Sequence, residues 1–449
     1  MIKNNDFLGK EKISKLLLKM SLPATIGMLV MTLYNIVDSI FIGNWVGSLG
    51  LAGVVIIFPF MLLSIAIAQF LGIGAASIIS ISFGEKNNEK AQKTFGNVMF
   101  LVFILGFLII LLGNIFSDQI IYFLGASETI FPYAKDYFSI LIFGLGFQLV
   151  VAAGNNIIRS QGAAKTAMTV MLIGAGLNLI LDPIFIIYLN MGMKGAAWAT
   201  VISQILSFIF SIHYFFTKKS ILKFKLKNFN LEYKIIKSIF IIGIPSFIRQ
   251  ASMSLVAIIV NNSLIFYGTD IAVAAYGIIF RLMMLLIMPG IGILQGSQPI
   301  IGYNYGAEKY QRVKETLLLS FKSSTIIITS IFIIIFTFSK TFISLFTSQL
   351  ELLTYTESII KIIIIFLPLL GFQLISAGYF QSIGKPKEAL LISLLRQVFI
   401  LIPLILILPL FFNLKGIWFA FPIADLLTTI IIFIIIKREI KKLNQKQIF

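Results

Sequence analysis

Four residues combine types and spacings that could do chemistry: Asp38, Asn178, Asp182 and Thr200. Each lies in or at the edge of a long apolar run, where a carboxylate costs roughly 3 kcal/mol to insert and is seldom kept without a task. Asp38 lies five residues before Gly43, Asp182 six before Tyr188 and Thr200 six after Lys194. At a helical rise of about 1.5 Å per residue, all three are expected at one depth, in the outer half of a bilayer. Asn178 falls one turn from Asp182 on the same helix face. Two carboxylates, an amide and a hydroxyl are all oxygen donors, a set that suits a hard cation such as Na+ or a proton shared between the acids. Tyr34 and Asn35 sit within a turn of Asp38 and extend its polar face.

The elements that must position these residues are membrane helices. Of 449 residues, 58% are hydrophobic and 12% charged, with 43 Phe, a composition outside the range of water-soluble globular chains. Apolar runs of about 20 residues recur along the chain, where a membrane β-barrel would alternate in segments of about 10, so the expected class is all-α integral membrane. The formal charge of +18 is explained by topology, with no nucleic acid required. About 28 basic residues fall in alternate loops and tails, and about five in the others, as the positive-inside rule expects. That places both termini and the lysine-rich 217–235 segment in the cytoplasm of a multi-pass protein. The absence of cysteine excludes disulfides and thiol chemistry, and a lone His213 excludes a histidine cluster. No nucleotide-binding, nucleophile-elbow or zinc motif is present, so the chain reads as a non-enzyme without a cofactor.

The chain is also duplicated. A gap-free shift of 222 residues lays Pro23 on Pro245, Gly74 on Gly296, Phe83-Gly84 on Tyr305-Gly306 and Ser160-x-Gly162 on Ser382-x-Gly384. Twelve spans in two six-helix lobes follow: residues 1–216, a linker at 217–235, and residues 236–449. Helix 10 is expected near 357–380 as one span, and residues from Lys437 onward as a basic tail. In the second lobe Asp38, Asn178 and Asp182 become Val260, Ile400 and Leu404, and Thr200 falls near Phe421 or Pro422. The scaffold is kept twice and the acidic set once, so helix packing does not demand it. Asp425 is a further buried-acid candidate, able to titrate or to pair with Arg281 or Arg396.

These pieces together resemble the multidrug and toxic compound extrusion (MATE) transporters. The resemblance rests on Tyr34-x3-Asp38-x2-Phe41-Ile42-Gly43 behind Pro23, Asn178-x3-Asp182-Pro183, Gly195-Ala196-Ala197-Trp198-Ala199-Thr200 and Gln298-Pro299-x3-Tyr303-Asn304-Tyr305-Gly306. It implies export of amphipathic organic cations in exchange for Na+ or H+ by alternating access, by a monomer in the bacterial cytoplasmic membrane. It also implies that Asp38, Asn178, Asp182 and Thr200 match the family's N-lobe cation site. Tyr34, Tyr137 and Asn155 match positions of the same cavity, and Arg281 and Asp425 are weaker cavity candidates. The rival within the same superfamily is a lipid-linked oligosaccharide flippase. Arg249, Arg281 and Arg396 favour it, and Asp38 and Asp182 oppose it.

Overall fold

The computed structural model describes residues 5–225, 228 and 231–446, and among these there is no β-strand. Eleven helices are long and apolar enough to cross a membrane, and a bent pair supplies the twelfth span. In chain order they are α1 (Ile13–Val46), α2 (Ser48–Gly84), α3 (Asn88–Ile115), α4 (Phe131–Ser160), α5 (Ala164–Tyr188) and α6 (Gly192–Phe216). The second half gives α7 (Tyr233–Tyr267), α8 (Asp270–Gly306), α9 (Tyr310–Thr337), α10 (Leu350–Ile363 with Leu367–Ser382), α11 (Pro386–Phe412) and α12 (Leu414–Lys446). The expected helix 10 is one span by this count but is bent, its two parts meeting at 48°. Pro368, lacking an N–H, sits in the 3-10 turn Leu367–Leu369 at the break. The expected end of helix 12 near 436 is corrected: the helix runs on through the basic residues to Lys446. Lysine and arginine are good helix formers, so losing the apolar pattern does not end a helix.

The duplication is written into the helix ends. The starts of α2 and α8, α3 and α9, α5 and α11, and α6 and α12 are each 222 residues apart. So are the short helices Ser117–Phe123 and Ser339–Ser344. The turns agree as well: Lys86 (φ 59°) matches Glu308 (φ 57°), and Gly162 (φ 82°) matches Gly384 (φ 71°). A left-handed residue that is not glycine is uncommon, so its recurrence at matched positions marks one loop geometry used twice.

By packing, the chain divides into two units: residues 1–8 with 26–243, and residues 9–25 with 244–449. The described residues of the linker therefore group with the first unit. Each unit takes its own helices plus the first turns of one more: α1 changes unit after Thr25, two residues past Pro23, and α7 changes after Gly243, two before Pro245. Within the first unit, a methyl on Gly74 would collide with the Ile239 carbonyl of α7. Within the second, a methyl on the matched Gly296 would collide with Ser21 of α1. Close backbone approach is what these two glycines provide.

The segments that lead into α1 and α7 are also held. In the first unit, Gln161 Oε1 accepts from Ser220 Oγ (3.0 Å) and Ile221 N (2.8 Å), and Asn97 Oδ1 accepts from Glu232 N (2.8 Å). In the second, Lys309 Nζ donates to the Gly9 carbonyl (2.9 Å) and Arg312 Nη2 to the Glu11 carbonyl (2.6 Å).

Candidate functional site

In the first unit, three helices converge on the residues expected to do chemistry. Asn178 lies one turn before the end of the regular helical part of α5, at Asp182. From Pro183 to Tyr188 the helix widens into π-geometry. Proline cannot donate to the preceding turn, and a π-turn of this kind often marks a functional position. Asn178 Nδ2 lies 3.2 Å from Asp182 Oδ1 and 3.3 Å from Thr200 Oγ1 on α6, whose hydroxyl donates to the Ala196 carbonyl at 3.0 Å. Asp38 comes from α1, and its carboxyl faces that of Asp182 closely enough for the two to share a proton.

What the cluster lacks is donors. Asp38 Oδ1, Asp182 Oδ2 and Asn178 Oδ1 are buried without a hydrogen-bond partner, and Asp182 is fully buried. Buried acceptors are nearly always satisfied, and leaving a charged one bare costs several kcal/mol. The residues therefore fit a proton or a hard monovalent cation, which would draw the three oxygens together. Among the described residues no three His, Cys, Asp or Glu side chains form a metal group. A cation held here would rely on amide and hydroxyl oxygens beside the two acids.

The other expected residues divide. The Tyr34 and Tyr137 side chains lie within electrostatic reach of both acids, and the Tyr137 hydroxyl lies beside Thr200. Asn35 is exposed, donates to the Met31 carbonyl (2.7 Å) and meets the group through a side-chain hydrogen bond with Tyr34. Asn155 is 18 residues beyond Tyr137 on α4, about 27 Å along the axis. Its Oδ1 is buried without a partner, but it stands apart from the acids. Arg281 and Asp425 belong to the second unit. There Arg281 is exposed, and Asp425 pairs with Arg396, whose Nε donates to Oδ1 at 2.5 Å.

Sequence reasoning missed the surroundings of this pair. Gln373 Nε2 donates to the Asp425 carbonyl (3.0 Å) and to Thr429 Oγ1 (2.9 Å), closing α10 onto α12. It also missed the chain Arg159–Asn156–Gln69 in the first unit, with links of 2.8 and 3.0 Å. Polar residues at helical spacing in α4 were the available signal for the latter. Gln373 offered none, since a lone glutamine in an apolar span has no visible partner.

The arrangement is a cluster of two buried acids, an amide and a hydroxyl inside a helical membrane unit. The MatE family model matches residues 23–184 and 245–407, well over half the chain, and the chain belongs to that family. Its members are membrane transporters, not enzymes. Among curated proteins, it is 29% identical over 430 residues to the multidrug export protein MepA of Staphylococcus aureus, covering 96% of this chain and 95% of that one. Among solved structures, it matches the outward-facing conformation of a multidrug resistance MATE transporter with a TM-score of 0.93 and 28% identity, over 99% of each chain. It also matches a Pyrococcus furiosus transporter described as having a binding pocket of reversed polarity and a different function, with a TM-score of 0.92 and 28% identity over 98% of this chain and 99% of that one.

Proposed function

We propose that this protein is a secondary active multidrug exporter that moves amphipathic organic cations outward in exchange for Na+ or H+ by alternating access. The observation that carries this reading is the set of three buried oxygens without donors on Asp38, Asp182 and Asn178. Two acids in a low-dielectric site attract cations and repel anions. When both are charged and unbridged, repulsion drives α1 from α5, and a bound proton or Na+ draws them together. Exchange follows where ion and cargo differ in affinity for the two shapes of α1, with Pro23 as the point where its hydrogen-bond ladder is interrupted. The multidrug export named for the staphylococcal relative supports the direction and breadth of transport. The acidic polarity weighs against a lipid-linked oligosaccharide flippase, whose cavity would be basic.

In the same reading, residues 1–216 and 236–449 act as two lobes joined by 217–235, in a monomer in the bacterial cytoplasmic membrane with both termini and the linker inside. The cysteine-free chain permits a direct check. A cysteine at exposed Lys219 should resist an impermeant reagent in intact cells and react after lysis. For transport, proteoliposomes loaded with ethidium should lose it under an imposed Na+ or H+ gradient. Failure under both gradients, with rescue of a lipid-flippase defect in cells, transfers the reading to the rival.

A further inference from the structure

At one end of the second unit three helices leave a cavity of about 240 Å³ between them. Its walls are the last turn of α10 at Phe380, the first turns of α11 at Glu388 and Leu391, and a stripe on α12. That stripe is Ile435, Arg438, Glu439 and Lys442, spaced three or four residues apart so that all lie on one helix face. The apolar run of α12 stops at Ile436, before Lys437, so the stripe crosses from hydrocarbon toward water. On α11, which enters the apolar run from its other end, Leu391 lies one turn deeper than Glu388. The cavity is therefore apolar at its inner end and charged at its mouth, a change made over about 10 Å.

The charges around it differ in what they already hold. Glu439 is buried and answered: Lys385 Nζ lies 2.6 Å from its Oε1, and the Tyr379 hydroxyl donates to the same oxygen at 3.4 Å. Lys446, further along α12, stands over the rings of Tyr305 and Tyr310. Arg438 and Lys442 are exposed, and among the described residues neither has a carboxylate partner. The duplication shows that the frame does not need them. Glu388, Arg438, Glu439 and Lys442 match Thr166, Phe216, Thr217 and Ser220. In the first unit α6 stops at Phe216 and the chain folds back over these positions: Ser220 Oγ and the Ile221 N–H reach Gln161, and the Phe224 ring stacks on Phe216. In the second unit α12 runs on as a helix and the corner stays open.

We propose that this cavity binds an anionic phospholipid, its phosphate on Arg438 and Lys442 and its acyl chains running past Leu391 and Ile435 into the bilayer. A soluble anion would meet the same two cations and leave the apolar wall uncovered, whereas a chain-bearing ligand covers both. A basic pocket between membrane helices, at the face where basic residues collect, has the chemistry that anionic head groups require. The topology proposed above puts the mouth in the inner leaflet. The Lys385–Glu439 pair makes a neutral floor, and Glu388, across the mouth, holds the affinity down by repelling the phosphate.

The test is native mass spectrometry of the purified, delipidated full-length protein titrated with dioleoyl phosphatidylglycerol, read as the apparent Kd of the first lipid bound. Phosphatidylcholine with the same chains should bind at least about fivefold more weakly. Glycerol 1-phosphate, which carries the anion without chains, should not compete. Arg438→Gln with Lys442→Gln should weaken phosphatidylglycerol about tenfold or more, and Glu388→Gln should tighten it about threefold. Lys437→Gln with Lys441→Gln removes the same charge from exposed positions of the same helix outside the cavity, and should change binding less than about twofold. An equal loss in that second pair would mean diffuse attraction, and effective competition by glycerol 1-phosphate would mean a site for soluble anions. Either result, or the absence of a preference for phosphatidylglycerol, overturns the proposal. The measurement needs neither a gradient nor an orientation, so it succeeds or fails separately from the transport reading.

Discussion

The two halves use one scaffold for opposite electrostatics. In the first, the pair α5–α6 and α1 gather acceptors and supply no cation, so Asp38, Asp182 and Asn178 each keep a bare oxygen. In the second, the matched pair α11–α12 gathers one acid, which also keeps a bare oxygen at Oδ2, but supplies its own cation, Arg396 at 2.5 Å. In the reading proposed above, the site that lacks its counter-ion takes one from outside and releases it, which is the requirement of coupling. The site with an internal counter-ion has no such need. Duplication kept the frame, and a few side chains diverged within it.

The sharpest way to break this contrast is to remove the bare acids. Asp38→Asn and Asp182→Asn should each lower gradient-driven ethidium efflux by about a hundredfold or more while the protein remains folded in the membrane. If Asp38→Asn exports at the normal rate under both gradients, the first half holds no coupling site. Next in size is the ion pair. Arg396→Gln leaves a buried carboxylate alone and should cost about 3 kcal/mol of stability, visible as a lowered thermal midpoint in detergent. Joint replacement, Arg396→Met with Asp425→Leu, should restore most of it, and a double variant as unstable as the single one would show that the pair is packing-critical after all. Thr200→Ala removes the hydroxyl beside Asn178 and should weaken ion binding about fivefold, measured as competition of Na+ or H+ with ethidium. Smallest is Val260→Ala, at the position matched to Asp38, where the efflux rate should stay within about twofold of wild type. A large loss there would mean that both halves work alike.

Much of this was legible in the sequence because membrane helices are nearly self-describing. Apolar length sets the spans, basic loops mark alternate ends, and the 222-residue register extends to the ends of helices. The convergence of Asp38, Asn178, Asp182 and Thr200 followed from depth and face, two quantities that helical geometry fixes. Depth also spoke against Asn155, and α4 does hold it far from Tyr137. What was illegible depended on backbone irregularity and on contacts between distant segments. The 48° break in α10 could not be read from Pro368 alone, because proline inside a span is often tolerated. The choice of Arg396 over Arg281 as partner of Asp425 turned on which helices pack together, and both arginines had looked equally eligible. The exchange of first turns between units left no trace in hydropathy, since apolar residues pack on either set of helices alike.

That exchange falls on the helix that carries the acid. By packing, α1 belongs to the second unit through Thr25 and to the first from Ile26 onward, with Asp38 in its later part. Its other end is anchored where Arg312 and Lys309 grip the carbonyls of Glu11 and Gly9. The matched helix, α7, changes unit in the opposite sense, with Val260 in place of the acid. Of the two helices shared in this way, α1 is thus the one that carries an acid at the matched position, which gives a duplicated frame one charged and one apolar member.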